Sequence, residues 1–397
     1  MTDHANERAT TQRMIATIHE IGPLLRGNAA QADRDRRVPQ SSIDALEATG
    51  VFAINSPRRF GGFEGGARML LDVTSAIGAY CTNAAWVSVI SSVSTMLALR
   101  FPESAQQRIF AGARPPRMSS IIVSPGGSAV REGEGYRVSG EWPFASNIFH
   151  AEWAIGIVPI RERPDAEPEM GYVVLPRAQY TIKDTWHTVG MRGTGSNTIV
   201  ARDEWVPADQ VVRAGQLVGP AFETAPDASF LQRLAPVSMF PTVIISGPLG
   251  AARAALALTA ELAAKRPVTY SKYQPQNSSG AFVQGMGAAR AKIDAAELML
   301  QRAADTIDAA ARSRESMSLP VRAGIRNDVG HATHNLADAL NDIAWLHGTA
   351  IFAEANPLSR LWRDVNTGVR HAIAASPLGY EIGGAAMLGV EPPTPLV

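Results

Sequence analysis

Tyr136-Arg137-Val138-Ser139-Gly140-Glu141-Trp142-Pro143-Phe144-Ala145-Ser146-Asn147 is a segment without a helical period. Its first four residues read as a short strand, and an aromatic and hydroxyl run broken by Gly and Pro follows. The same character extends from 117 to 225. Ser119–Val123, Ala154–Pro159, Gly171–Leu175 and Thr198–Trp205 are further β-rich runs, parted by Gly-Gly, Pro-Asp and Gly-Glu-Gly turns. A β domain, a barrel or a sandwich, is therefore expected in the middle of the chain. Residues 161–169, all polar but for Pro and Ala, read as a hairpin tip.

On both sides of that region the pattern is helical. Ile15, Ile18, Ile21 and Leu25 mark one face of a helix over 10–32. Pro23 is expected to kink or split it. Val38-Pro39 opens a second helix, which Gly50 ends. A glycine-rich loop over 55–66 leads to helices over 67–80, 83–99 and 104–111. Behind the β region, residues 242–264 are rich in Ala and Leu. Over 283–312 a heptad places Met286, Ile293, Leu300 and Ile307 at one position and Ala289, Ala296, Ala303 and Ala310 at another. Large opposite small suits close antiparallel packing in a bundle. A further helix through Leu336, Leu340, Ile343 and Leu346 is expected to end near Asn356. The organisation is α+β: an N-terminal helical domain over 1–116, a middle β-barrel domain over 117–225, and a C-terminal four-helix bundle over 226–397.

The 397 residues are 46% hydrophobic, enough for a large core. Lys+Arg and Asp+Glu both number 37, so no basic field exists to attract nucleic acid or an anionic membrane. One cysteine, Cys81, excludes a disulfide scaffold and cysteine-rich metal sites. Its apolar neighbours make it a buried small residue. Met1 to Arg13 is polar, without a signal core, and no uninterrupted apolar run reaches about 18 residues. The expected compartment is the cytoplasm.

Chemistry concentrates in a few places. Asn356 can cap a helix that Pro357 begins, expected to run to Ser376-Pro377. Arg360, Arg363 or Asp364, and Thr367 would share one side, with His371 a turn further on. A histidine among fixed charges is a candidate proton-transfer group. The plainer alternative is a packed histidine beside a solvated Arg/Asp face. In the β region, Gly140–Asn147, Trp186–Ser196 and Trp205-Val206-Pro207 set aromatics beside hydroxyls, a combination that can hold a flat ring. An aromatic-rich β core is the plainer alternative. Gly193-Thr194-Gly195 lacks the third glycine of a dinucleotide fingerprint, and there is no Walker loop or Gly-x-Ser-x-Gly elbow. His331 and His334 share a helix face without a third ligand, so no metal site is expected.

Helical front, β middle and bundled rear, with these motifs in this order, resemble the acyl-CoA dehydrogenase fold over nearly the whole chain. Pro39, Leu46, Gly50-Val51-Phe52 and Pro57 to Gly62 are similar to its N-terminal pattern. Tyr136 to Asn147 resembles its flavin-facing strand, and Gly190 to Ser196 with Val206-Pro207 its second β signature. The dehydrogenases carry a catalytic glutamate in a Tyr-Glu-Gly-Thr segment, where this chain has Gly379-Tyr380-Glu381-Ile382-Gly383. Arg360-Leu361-Trp362-Arg363-Asp364 followed by His371 is instead similar to the two-component flavin-dependent monooxygenases of the hydroxyphenylacetate hydroxylase type.

That resemblance implies an oxygenase component that takes reduced FMN or FAD from a separate flavin reductase. With O2, through a C4a-hydroperoxide, it would hydroxylate an aromatic or heteroaromatic small molecule. It implies His371 as base or hydrogen-bond partner of the substrate and Ser146 at the flavin N5 edge. Asn147, Trp142, Arg192, Thr194 and Ser196 would join Ser146 in holding the flavin. Arg266 would reach its phosphate, often across a subunit boundary, with Tyr270 nearby. Phe240 and Ser120 would line the substrate site, and His150 and His187 lie near the same stretches. A homotetramer is implied as well. The alternatives are an acyl-CoA dehydrogenase-type flavin oxidoreductase, an N- or S-oxygenase on the same scaffold, and a non-catalytic flavin-binding relative.

Overall fold

The computed structural model describes residues 2–122, 126–163 and 165–397. Five helices lead: α1 (Thr2–Asp35), α2 (Gln40–Thr49), α3 (Ala67–Gly78), α4 (Thr82–Ala98) and α5 (Glu103–Ile109). Pro23 does not split the first of them; α1 is one helix with Pro23 inside it. A helix-interior proline costs about 3 kcal/mol. Burial of Ile18 on one side of it, and of Leu25, Ala29 and Ala32 on the other, offsets that cost. Every residue of α4 is buried, and Cys81, also buried, stands at its start.

The strands are β1 (Met118–Ile121), β2 (Ser128–Glu132), β3 (Gly135–Ala145), β4 (Trp153–Arg161), β5 (Glu169–Pro176), β6 (Thr181–Lys183), β7 (Asn197–Pro207) and β8 (Val211–Arg213). They form one sheet in the order β6-β7-β3-β2-β4-β5-β8, with β1 also paired to β4. Val123, which the sequence placed in the first strand, lies outside the described residues. The β3–β7 ladder is irregular between Val138 and Gly140 and again between Trp142 and Ala145. Phe144 takes a φ of +64° at the second irregularity. The chain therefore leaves the ladder just before Ser146, which frees that side chain for a site at the sheet's end.

Behind the sheet come α6 (Ala214–Val218), α7 (Phe230–Arg233), α8 (Pro236–Ile244), α9 (Ser246–Ala263), α10 (Gly280–Ser313), α11 (Leu319–His347), α12 (Pro357–Gly368) and α13 (Ser376–Leu388). The segment 236–263 is long and apolar enough to cross a membrane, but 67% of its most apolar window is buried inside the protein as core helix. The heptad holds in α10, where Ala289, Ile293, Ala296, Leu300, Ala303 and Ile307 are buried. One hydrophobic core runs through α1, α3 and α4 into α8–α12, and a separate core lies within the sheet.

Two helix ends differ from expectation. α11 stops at His347, where Gly348 takes a φ of +61°, and a short 3-10 turn follows. α12 begins as expected, with the Asn356 side chain accepting the Leu358 N–H at 3.0 Å. It ends at Gly368, so His371 stands beyond the helix in the turn before α13. Glycine followed by β-branched Val369 is a poor helical pair. The His371 N–H instead closes a turn on the Gly368 carbonyl at 3.1 Å.

Candidate active site

A cavity of about 390 Å³ opens where α4, the end of β3, the loop before β7 and the α12–α13 turn meet. Its volume falls within the usual range for small-molecule sites, about 300–1,000 Å³. Trp86 comes from α4; Phe144 and Ser146 come from the end of β3. Trp186, Thr194 and Ser196 come from the loop before β7, and His371 from the turn. No Asp or Glu is among its lining residues. Glu381, in the segment that differs from the dehydrogenase signature, is exposed on α13.

One wall is a chain of hydroxyls. The Trp86 indole N–H donates to Ser146 Oγ at 3.3 Å, and Ser146 Oγ meets Ser196 Oγ at 2.6 Å. Ser196 Oγ meets Thr194 Oγ1 at 2.7 Å, and Thr194 donates to the Met191 carbonyl at 2.8 Å. His371 lines the same cavity. Its ring lies 5.7 Å from that of Trp86 and 5.6 Å, edge to face, from that of Phe240. Burial holds the imidazole down to a pKa of about 4, so it is neutral at pH 7. Its Nδ1 is buried, with no hydrogen-bond partner among the described residues.

The loop that carries Thr194 and Ser196 is held by α12. Asp364, fully buried, accepts the Met191 N–H at 2.6 Å and the Asn83 Nδ2–H at 2.9 Å. Burial pushes its carboxyl up to about 6, against the hydrogen bond from Met191. Arg363 adds hydrogen bonds to Asp33 Oδ1 and Oδ2, at 3.2 and 3.0 Å, and one to the Val189 carbonyl. Gly190 lies so close to α12 that a Cβ there would overlap the Arg363 carbonyl and the Thr367 hydroxyl. Met191 then adopts a φ of +54°, uncommon for a side chain of its size.

Of the residues singled out in the sequence, Ser146, Thr194, Ser196 and His371 line the cavity, and Phe240 backs His371. Others do not reach it. Trp142 is fully buried in the sheet core, its indole N–H on the Ile157 carbonyl at 2.7 Å, because the pleat turns it inward. Arg192 faces α1, donating to the Asp33 carbonyl at 2.8 Å and the Thr188 carbonyl at 2.9 Å. Asn147 is buried and ties its amide to the Met118 carbonyl. Ser120 accepts from Ser94 at 2.9 Å rather than facing the cavity. Arg266 lies 3.4 Å from His347, in the loop between α9 and α10, and Tyr270 on that loop is exposed. Neither lines the cavity within one chain. His150 caps the Val38 carbonyl and His187 sits beside Arg36 and Asp184, both away from it. Trp205 is on the sheet surface. His331 binds the Tyr380 hydroxyl, and no cluster with metal-ligand geometry occurs among the described residues.

The sequence reading missed Trp86 and the buried role of Asp364. Trp86 sits in a continuous apolar helix that offers no periodicity to mark it. Asp364 follows Arg363 and reads as half of a solvated pair.

The cavity fits a flavin ring by its chemistry. Trp86, Trp186 and Phe144 offer flat apolar surface, the hydroxyl chain offers directed hydrogen bonding, and His371 adds an imidazole to the lining.

Comparison with known proteins agrees. The acyl-CoA dehydrogenase N-terminal domain family matches residues 17–112 and the C-terminal domain family residues 243–376. The FADH(2)-dependent resorcinol hydroxylase, oxygenase component, of Rhizobium sp. (strain MTP-10005) is 30% identical, with 98% of each chain covered. The oxygenase subunit HsaA of a flavin-dependent monooxygenase of Mycobacterium tuberculosis (strain ATCC 25618 / H37Rv) is 28% identical, over 97% of this chain and 98% of its own. The solved structure of XiaF from Streptomyces sp. in complex with FADH2 and glycerol superposes with a TM-score of 0.96, at 34% identity and full coverage of both chains. With a histidine and no carboxylate in the cavity wall, and with these relatives matched end to end, the chain belongs to the acyl-CoA dehydrogenase-fold flavin-dependent monooxygenases, the oxygenase components of two-component systems.

Proposed function

We propose that this chain receives reduced flavin from a separate reductase and hydroxylates an aromatic small molecule that carries an O–H or N–H group. The observation that carries this reading is a neutral His371 in the lining of the same cavity as the Ser146 hydroxyl, with no carboxylate beside it. Reduced FAD is favoured over FMN by the names of the resorcinol hydroxylase and of the XiaF complex. When bound, the reduced flavin supplies with O2 the oxygen atom that is transferred.

The chain's own residues do the rest. Trp86, Trp186 and Phe144 keep water from the ring faces. Ser146, Ser196 and Thr194 orient the flavin edge. His371 accepts the substrate O–H or N–H. A base with a pKa near 4 does not ionise a free phenol; it takes the proton only as oxygen transfer makes that group acidic. General-base help of this kind contributes about 10²–10⁴ in rate.

The test supplies a generic flavin reductase, NADH and FAD, and screens resorcinol, p-hydroxyphenylacetate and indole for oxygen-dependent mass gain. Gain of one oxygen on at least one of them is expected. Reduction of a dye by an acyl-CoA, with no mass gain on any aromatic, would replace this reading with the dehydrogenase one.

A further inference from the structure

The cavity lining is graded from floor to rim. Trp86, Ser146, Thr194 and Ser196 are buried, whereas Phe144 and Arg370 are exposed. Arg370 is the single charged side chain among the described lining residues, since His371 is neutral at pH 7. Other arginines around the site face acids. Arg36, which reaches the Trp186 carbonyl, pairs with Asp184 at 2.6 Å, and Arg363 pairs with Asp33 at 3.0 Å. Arg370 makes no ion pair among the described residues. Its Nη1 donates to neutral acceptors one turn back on α12, the Asn366 carbonyl at 2.5 Å and Asn366 Oδ1 at 3.0 Å. Asn366 is itself oriented by donating its amide to the Trp362 carbonyl at 3.0 Å. One nitrogen of the guanidinium is thus fixed on the helix, and its other donors are left to meet a ligand.

A guanidinium offers its donors as a planar fork that matches a carboxylate. An anionic group taken down among the aromatic side chains would lose its water and find no countercharge, at a heavy cost. At the rim it keeps part of its water and gains the fork. We infer that Arg370 selects aromatic substrates that carry an anionic group, a carboxylate above all, and holds that group at the mouth of the cavity with the ring inward. This rests on the aromatic hydroxylation proposed above and names the substrate class within it. Arg370 directly precedes His371 in the chain and both line one cavity, so the molecule that offers its O–H or N–H to the imidazole is the one the guanidinium meets.

A plainer role for Arg370 is to close the C-terminal end of α12, where cations favour the last carbonyls. That role contributes stability but does not distinguish a charged ligand from an uncharged one of the same ring. The ratio between two such ligands therefore separates the roles.

The experiment is equilibrium dialysis of the full chain with dithionite-reduced FAD under argon, against two matched pairs. These are p-hydroxyphenylacetate with 4-methylphenol, and indole-3-acetate with 3-methylindole. The parent is expected to bind the carboxylate more tightly than its uncharged counterpart in at least one pair, by about fivefold, as for a favourable ion pair at a solvated site. Added salt should shrink that ratio. Arg370→Gln should abolish it through weaker binding of the carboxylate, and Arg370→Lys should keep part of it. A ratio equal in the parent and in Arg370→Gln overturns the inference, as does a parent that prefers the uncharged member of both pairs. Reduced riboflavin, which lacks the phosphates, is the control. If Arg370→Gln weakens reduced FAD but not reduced riboflavin, the anion belongs to the flavin, and the substrate assignment is overturned while the hydroxylation reading stands. Binding of no member of either pair by the parent overturns both.

Discussion

The Asp364 carboxylate takes the backbone N–H of Met191 at 2.6 Å, and so fastens the loop bearing Thr194 and Ser196 to the helix that leads to His371. One buried acid thereby helps to tie together two segments that line the cavity. Asp364→Ala leaves the Met191 N–H and the Asn83 amide without that partner. The expected loss is about 1–3 kcal/mol, read as a lower urea midpoint at unchanged slope. Turnover of the variant should also release more hydrogen peroxide per O2, because those segments lose that tie.

Gly190→Ala tests the same contact from the loop side. The added methyl would overlap the Thr367 hydroxyl and the Arg363 carbonyl, and that carbonyl cannot move without shifting α12. A loss of about 1–3 kcal/mol is expected for such overpacking. Thermal unfolding of the variant beside Gly287→Ala, an α10 position with open space around it, isolates the effect.

The acidity of His371 fixes a pH dependence. Its pKa is held down to about 4 by burial, so the neutral ring persists well below the ordinary histidine range. The acid limb of kcat/KM for product formation should fall near 4 instead of 6.5. The same shift bears on stability. The unfolded chain binds a proton here that the folded chain refuses, so this group's contribution is present above about 6.5 and lost as pH falls toward 4. In His371→Ala, unfolding free energy should depend less steeply on pH between 6.5 and 4.

Asp308 gives the opposite sign. From α10 it accepts the N–H groups of Ala67 at 2.7 Å and Arg68 at 3.1 Å, capping α3. Burial raises its carboxyl to about 7, against the pull of those two hydrogen bonds. The folded chain keeps a proton that the unfolded chain releases, so this contribution is full below 3.8 and lost as pH rises through 7. The parent should therefore gain stability over Asp308→Asn between pH 8 and pH 5, by more than about 1 kcal/mol. Chemical denaturation of the two proteins at both pH values measures it.

Periodicity carried much of the fold in the sequence. The alternation of Ile293, Leu300 and Ile307 with alanines announces α10, because a heptad survives only where both positions pack. Of the two outcomes Pro23 suggested, a split does not occur, since local propensity cannot register the burial of Ile18 and Leu25 around it. Trp142 was assigned to the site and belongs to the sheet core. Strand alternation places it inward, and the ladder irregularity that releases Ser146 lies between the two residues. The residue types His371, Ser146, Thr194 and Ser196 were legible as candidates, but their partners were not. Trp86 and Met191 gain their roles from contacts across long stretches of chain, and no local pattern encodes those.

The most direct measurement is product formed per O2 consumed by His371→Ala, with reduced FAD supplied by a reductase and the phenol that the parent hydroxylates. Continued O2 consumption is expected, with hydrogen peroxide in place of product and a product yield at least a hundredfold lower, the order expected for loss of a general base. A yield equal to that of the parent would contradict the placing of this imidazole over the substrate.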